Sequence, residues 1–156
     1  MRFFACDRIV VAERGKRMTA VKQFGLMDGY LGEHYPRRPV LPGTLVVEGL
    51  AQVGGMLHLL NHDFAVEMVL MLVDGVRIPG RPRQGDRLTL EVGMRYDHPY
   101  GATMSGLARV GDAPVVTVDR LVFAHEVSTD PAVIDRNRCR YAYQSGAVAA
   151  ERDSPL

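Results

Sequence analysis

The sequence predicts an α+β fold in which an antiparallel sheet wraps around one long buried helix. Three observations predict it: two β-like runs open the chain, a long apolar helix follows, and four more strands come after it on short turns. Residues 3–11 and 17–23 read as a hairpin, with Glu13-Arg14-Gly15-Lys16 as its turn. Residues 25–42 hold too many glycines and prolines for a long regular element, leaving room for one helical turn near residues 27–31. Pro42-Gly43-Thr44 then suits a helix start, proline being tolerated in the first turn and Thr44 able to cap free amides. That helix is expected to run to about His62. It reads as apolar almost all round, so other structure should bury it. Thr44, Glu48 and Gln52 recur at every fourth residue and mark a narrow polar stripe upon it. Gly49, Gly54 and Gly55 each cost about 1 kcal/mol of helix propensity, which implies a close approach by a neighbour.

Strands are expected at residues 67–76, 87–96, 102–110 and 114–125. Between them lie Pro79-Gly80-Arg81-Pro82, Gln84-Gly85-Asp86, His98-Pro99-Tyr100-Gly101 and Gly111-Asp112-Ala113, all turn-forming strings. Residues 1–127 thus make one domain. Residues 128–156 add a C-terminal helix, started by Asp130-Pro131 and reaching about Tyr143, and a flexible polar tail from Gln144.

Composition excludes several classes. With 47% hydrophobic and 24% charged residues over 156 positions, and a formal net charge of +1, there is no general electrostatic basis for nucleic-acid binding. The apolar run after Pro42 is broken by Glu48, Gln52 and His58 and falls short of the roughly 20 apolar residues of a membrane span. The N-terminus has no signal-peptide pattern, so we expect a cytoplasmic protein. Cys6 and Cys139 form no ligand spacing and are expected to be free thiols, neither of them a nucleophile.

The richest stretch is His34-Tyr35-Pro36-Arg37-Arg38-Pro39-Val40-Leu41-Pro42-Gly43-Thr44-Leu45-Val46-Val47-Glu48-Gly49-Leu50-Ala51-Gln52. It resembles the loop HFPxxPxMPGxLxxEAxAQ of the 3-hydroxyacyl-[acyl-carrier-protein] dehydratases, which have the hot dog fold. The resemblance extends over roughly residues 5–125, taking in Cys6-Asp7-Arg8-Ile9-Val10, Gly15-Lys16-Arg17, Val73-Asp74-Gly75-Val76-Arg77 and Gln84-Gly85-Asp86-Arg87-Leu88. It implies His34 as catalytic base, Glu48 as acid and Gly43 as backbone amide donor, with Gln52, Tyr35 and Pro42 in support. It further implies a homodimer whose sheets join and whose sites pair His34 of one subunit with Glu48 of the other. No cofactor is implied: the substrate rides on the phosphopantetheine of an acyl carrier protein, or on coenzyme A.

The chemistry wants these residue types. Dehydrating a 3-hydroxyacyl thioester requires removal of the proton beside the carbonyl, relief of charge on the carbonyl oxygen and protonation of the departing hydroxide. A neutral imidazole suits the first task. An amide at a helix start, favoured by the dipole, suits the second, and glycine lets the thioester come close. A carboxyl desolvated by an apolar helix keeps its proton more readily and suits the third, although the helix dipole opposes that effect.

The remaining conspicuous residues have ordinary readings beside functional ones. Arg37, Arg38, Arg77, Arg81, Arg83 and Arg87 make either a solvated surface or a rim for an acidic carrier protein. The eight methionines fit core filling or an adaptable acyl tunnel. His58 and His62 share one helix face with Asp63 nearby. Histidines at a helix C-terminus ordinarily serve the dipole, and we expect no metal.

The chain departs from the family pattern in three places: a start almost directly at the first strand, Glu33 before the histidine, and a long tail after Val127. These fit a specialised relative in fatty acid or polyketide-type synthesis. Two alternatives remain open from sequence, a hot dog acyl thioesterase and a non-catalytic acyl-carrier binding partner subunit.

Overall fold

The structure is a computed structural model that describes residues 6–24 and 40–146. Six strands and two helices follow one another as β1 (Arg8–Glu13), β2 (Arg17–Gln23), α1 (Gly43–Asn61), β3 (Val66–Arg77), β4 (Arg87–His98), β5 (Gly101–Val110), β6 (Ala113–Val127) and α2 (Pro131–Ser145). The strands form one antiparallel sheet in the order β1-β2-β4-β5-β6-β3. β1 begins at Arg8, later than the sequence pattern implied, although the amide of Asp7 still donates to the Val21 carbonyl. Glycines at positive φ, Gly15 at 73° and Gly111 at 56°, turn the hairpins where a side chain would strain the backbone.

One face of the sheet holds α1. Met18 and Ala20 of β2, Leu88, Leu90 and Val92 of β4, Met104 and Ala108 of β5, and Val116 and Val118 of β6 alternate into this core. Leu50 of α1 sits so close to Gly106 that a methyl group there would lie 3.1 Å from Leu50 Cδ1. The second half of α1 is largely enclosed, with every residue from Val53 to Leu59 buried. By length and composition alone α1 could cross a membrane, contrary to the sequence expectation that it falls short, but its apolar side chains fill the protein's own core.

Two bulges alter what faces that core. In β6 the pairing steps from Met104↔Leu121 to Gly106↔Val118, so β6 holds one extra residue and its alternation flips. Leu121, Phe123 and His125 consequently continue the buried face that Val116 and Val118 began. In β4 the step from Met94↔Met104 to Tyr96↔Thr103 does the same, leaving Asp97 opposite the buried Ala102.

Among the described residues β3 is an edge strand, paired with β6, and it exposes Val69, Leu70, Met71, Leu72 and Val76. An apolar edge with free backbone groups is a template for another strand. α2 packs across β1 and β3, capped at its start by Asp130, whose carboxylate accepts from the Ala132 amide at 2.9 Å, and at its end by Gly146 at φ 77°. Asn137 donates to the carbonyls of Phe64 and Val66, at 3.0 and 3.2 Å, and Tyr141 stacks at a tilt on Phe64. Gln144, expected to begin the tail, is buried as part of this helix, because α2 continues to Ser145. The helical turn expected near residues 27–31, and the tail from residue 147, lie outside the described residues.

Candidate active site

α1 starts without the expected cap. Pro42 occupies the cap position with no side-chain hydrogen bond, and Thr44, one residue inside the helix, is exposed; the Leu45 amide instead donates to the Pro42 carbonyl at 3.0 Å. Proline at the cap position fixes φ where the chain enters the helix and has no N–H to leave unpaired there. Gly43 has a spatial reason to be glycine, since a Cβ there would come within 2.6 Å of Ile78 Cδ1.

The polar stripe exists and is wired together. Gln52 Nε2 donates to Glu48 Oε1 at 2.9 Å, and Arg140 Nη2 of α2 donates to Gln52 Oε1 at 3.4 Å. A relay of cation, amide and carboxylate therefore runs from α2 to Glu48. Glu48 itself is exposed in the single chain. The sheet covers only one side of the first half of α1, and the stripe lies on the other.

Beside that stripe opens a cleft of about 940 Å³, within the usual range for small-ligand sites. Its floor is Ala51, Gly55, Met56 and Leu59 of α1; Met68, Leu70 and Met71 of β3 and Phe123 of β6 make an apolar wall. Glu48, Gln52, Arg140, Asn137 and His125 place polar groups around it. Three of the methionines thus line a cavity, as an adaptable acyl channel would have them.

The residues singled out by sequence fall into three groups. Glu48 and Gln52 meet at the cleft, whereas Pro42 and Gly43, a helical turn or more away, do not line it within one chain. His34, Tyr35, Arg37 and Arg38 lie outside the described residues. Among the arginines, Arg81 and Arg83 are exposed between β3 and β4 and Arg87 is exposed at the start of β4, while Arg77 is held by Asp119 through two hydrogen bonds of 2.9 and 2.6 Å. Cys6 is buried, and that burial pushes its thiol up to about 11, so it stays protonated and unreactive at neutral pH. Sequence reasoning missed Arg136, Asn137, Arg140 and His125 as cleft residues. The α2 cations could have been found only by guessing that the helix packs across β1 and β3 beside the cleft.

Known structures share this architecture. A Streptococcus mutans protein solved bound to acetyl CoA superposes with a TM-score of 0.66 at 13% identity, covering 83% of this chain and 96% of that one. The ApeI:P dehydratase heterocomplex of Xenorhabdus doucetiae matches with a TM-score of 0.63 at 16% identity, over 85% and 88%. The fold is the hot dog fold. In sequence, the FabA-like domain model matches residues 1–119. The 3-hydroxyacyl-[acyl-carrier-protein] dehydratase FabZ of Paracidovorax citrulli is 36% identical over 117 residues, which is 71% of this chain and 79% of the relative. The FabZ of Anoxybacillus flavithermus is 35% identical over 124 residues, 78% and 86% respectively. The chain belongs to the FabA-like domain family, among whose members the FabZ dehydratases are its relatives.

Proposed function

We propose that the chain is a dehydratase of the cytoplasm that removes water from 3-hydroxyacyl thioesters to give trans-2-enoyl thioesters, with the acyl group on an acyl carrier protein, in fatty acid or polyketide-type synthesis. The observation that carries this reading is Glu48 held by Gln52 at the mouth of an apolar, methionine-lined cleft, in a chain of the FabA-like family.

In the mechanism, the His34 imidazole takes the proton beside the thioester carbonyl, and the Gly43 amide donates a hydrogen bond to the carbonyl oxygen as negative charge builds there. The Glu48 carboxyl gives its proton to the departing hydroxyl, which leaves as water. Gln52 fixes the carboxyl's orientation, and Arg140 fixes Gln52. The protein needs no cofactor for this sequence, since proton transfers and one hydrogen-bonded oxyanion account for it.

The active unit is a homodimer joined through β3. Its exposed apolar edge supports this, and so does the separation of Gly43 from the cleft of Glu48, which a second chain would bridge by bringing its own helix start to that cleft. Exposed Arg81, Arg83 and Arg87, with Arg37 and Arg38, supply the docking rim for an acidic carrier, and Arg77 contributes less because Asp119 already engages it.

The test is to incubate the protein with trans-2-enoyl and 3-hydroxyacyl thioesters, on carrier protein and on coenzyme A, and to follow each by mass. Interconversion by gain or loss of one water is expected. Release of free thiol in its place would make the chain a thioesterase, and carrier binding with no change of mass would make it a partner subunit.

A further inference from the structure

At the far end of α1 from the stripe, three imidazoles converge. His58 and His62 stand one turn apart, and His125 arrives from β6 because the bulge before Leu121 turns it inward. The ring centroids lie 4.4 to 4.8 Å apart. One ring nitrogen from each of the three can be chosen so that all lie within 4.8 Å of one another. The β4 bulge brings in a fourth group: Asp97 Oδ1 is 3.3 Å from His62 Nε2 and 3.9 Å from His58 Nδ1. Asp63, the acid that sequence spacing placed beside His62, instead pairs with Arg14.

His58 is the centre of the cluster. It is fully buried, and its Nε2 shares a 2.7 Å hydrogen bond with His125 Nδ1. Its Nδ1 is enclosed and has no hydrogen-bond partner, a costly state for a buried polar atom. With the ring proton on Nε2 and donated to His125, Nδ1 presents a bare lone pair toward Asp97. That is the arrangement of a metal-binding histidine, whose other N–H is spent on an outer partner that fixes tautomer and ring orientation. His125 is itself anchored by the backbone carbonyl of Pro99.

We propose that His58 Nδ1, His62 Nε2 and the Asp97 carboxylate bind one divalent transition-metal ion of the zinc class, with His125 as the outer partner that orients His58. Imidazole and carboxylate donors at bonds of about 2.0–2.2 Å around a tetrahedral ion stand roughly 3.3–3.5 Å apart. The 3.3 and 3.9 Å from the Asp97 oxygen to His62 Nε2 and His58 Nδ1 lie close to that spacing. Burial holds His58 down to about 4, with smaller contributions from His62 and His125, so its nitrogen is free to coordinate at neutral pH without first losing a proton. The ion ties the C-terminal end of α1 to the end of β4 and, through His125, to β6. It closes the fold at the edge of the cleft that His125 lines and takes no part in turnover. The site does not depend on the dehydratase reading.

The test uses the untagged full chain, stripped with chelator and titrated with Zn²⁺ by calorimetry and with Co²⁺ by visible absorption. One ion per chain is expected, with a Co²⁺ spectrum free of thiolate character, and a Zn²⁺ excess of a hundredfold over Kd raises Tm by roughly 5–10 °C. His62→Ala and Asp97→Ala, both at partly exposed positions that do not threaten folding, each weaken Zn²⁺ binding at least tenfold. His125→Gln weakens it by about 10- to 100-fold, and His98→Ala leaves it unchanged. No saturable binding, or wild-type affinity in His62→Ala, overturns the site. Wild-type affinity in Asp97→Ala overturns this ligand set.

Discussion

Gly54 and Gly55 are neighbours on α1, yet alanine should act oppositely at the two. Either substitution gains about 1 kcal/mol of helix propensity. At Gly54 the new methyl would stand 3.2 Å from Met104 Sδ and from two ring atoms of Phe123, inside the usual van der Waals separation of carbon atoms. Met104 and Phe123 are both buried and hemmed by the core, so room comes only by displacing packed side chains, at about 1–3 kcal/mol. Gly54→Ala should therefore range from neutral to about 2 kcal/mol destabilised, a fall in Tm of up to roughly 6 °C. At Gly55 the methyl meets the end of Met68, with Cε at 3.0 Å and Sδ at 3.4 Å. Met68 is half-buried, and its thioether arm swings aside at little cost. Gly55→Ala should keep most of the helix gain and raise Tm by about 2–4 °C. The displaced Met68 then enters the cleft, so this more stable variant should prefer shorter acyl chains. Thermal unfolding of both variants, with rates on a ladder of acyl lengths, checks the pair. A Gly54→Ala protein more stable than Gly55→Ala would refute the packing argument.

Three further outcomes follow from the site and the core. Glu48→Gln should lower the dehydration rate by about 10²- to 10⁴-fold with little change in Tm, measured by steady-state turnover and melting on one preparation. Arg140→Ala removes the outer member of the relay while leaving Glu48 and Gln52 in place; kcat should fall several-fold with KM nearly constant, and Arg140→Lys should restore part of it. In chelator-treated protein, acid should destabilise the fold between pH 6.5 and about 4, because His58 is pushed down to about 4 when folded and lies near 6.5 when unfolded. Over that window the unfolded chain takes up a proton that the folded chain refuses, so stability is lost as pH falls, by about 3 kcal/mol at roughly 1.4 kcal/mol per tenfold change in proton affinity. Denaturant midpoints that stay level from pH 7 to 4.5 would contradict this.

What could be read from the sequence was whatever depends on neighbours along the chain. The turn glycines Gly15, Gly85 and Gly111 marked strand ends, and all three have positive φ. Asp130-Pro131 marked the start of α2, where the Asp130 side chain is indeed the cap. The four-residue spacing of Glu48 and Gln52 placed them on one stripe of α1, where they are hydrogen-bonded. What could not be read depends on sidedness between distant elements. The exposure of Glu48 is decided by how much of α1 the sheet covers, and Arg140 reaches Gln52 across 88 positions. His125 is buried, and the exposed Asp97 lies on the same face of the sheet, only because bulges in β6 and β4 shift the alternation by one residue, and no period-two pattern announces a bulge.

The central claim is that one site draws its acid and its base from different chains. Mixing inactive His34→Ala and Glu48→Gln chains under conditions that exchange subunits tests it directly. A mixed dimer contains one site with both groups intact, so a statistical mixture of the two variants should recover about one quarter of wild-type activity. A mixture that remains as inactive as its two components would contradict the shared site.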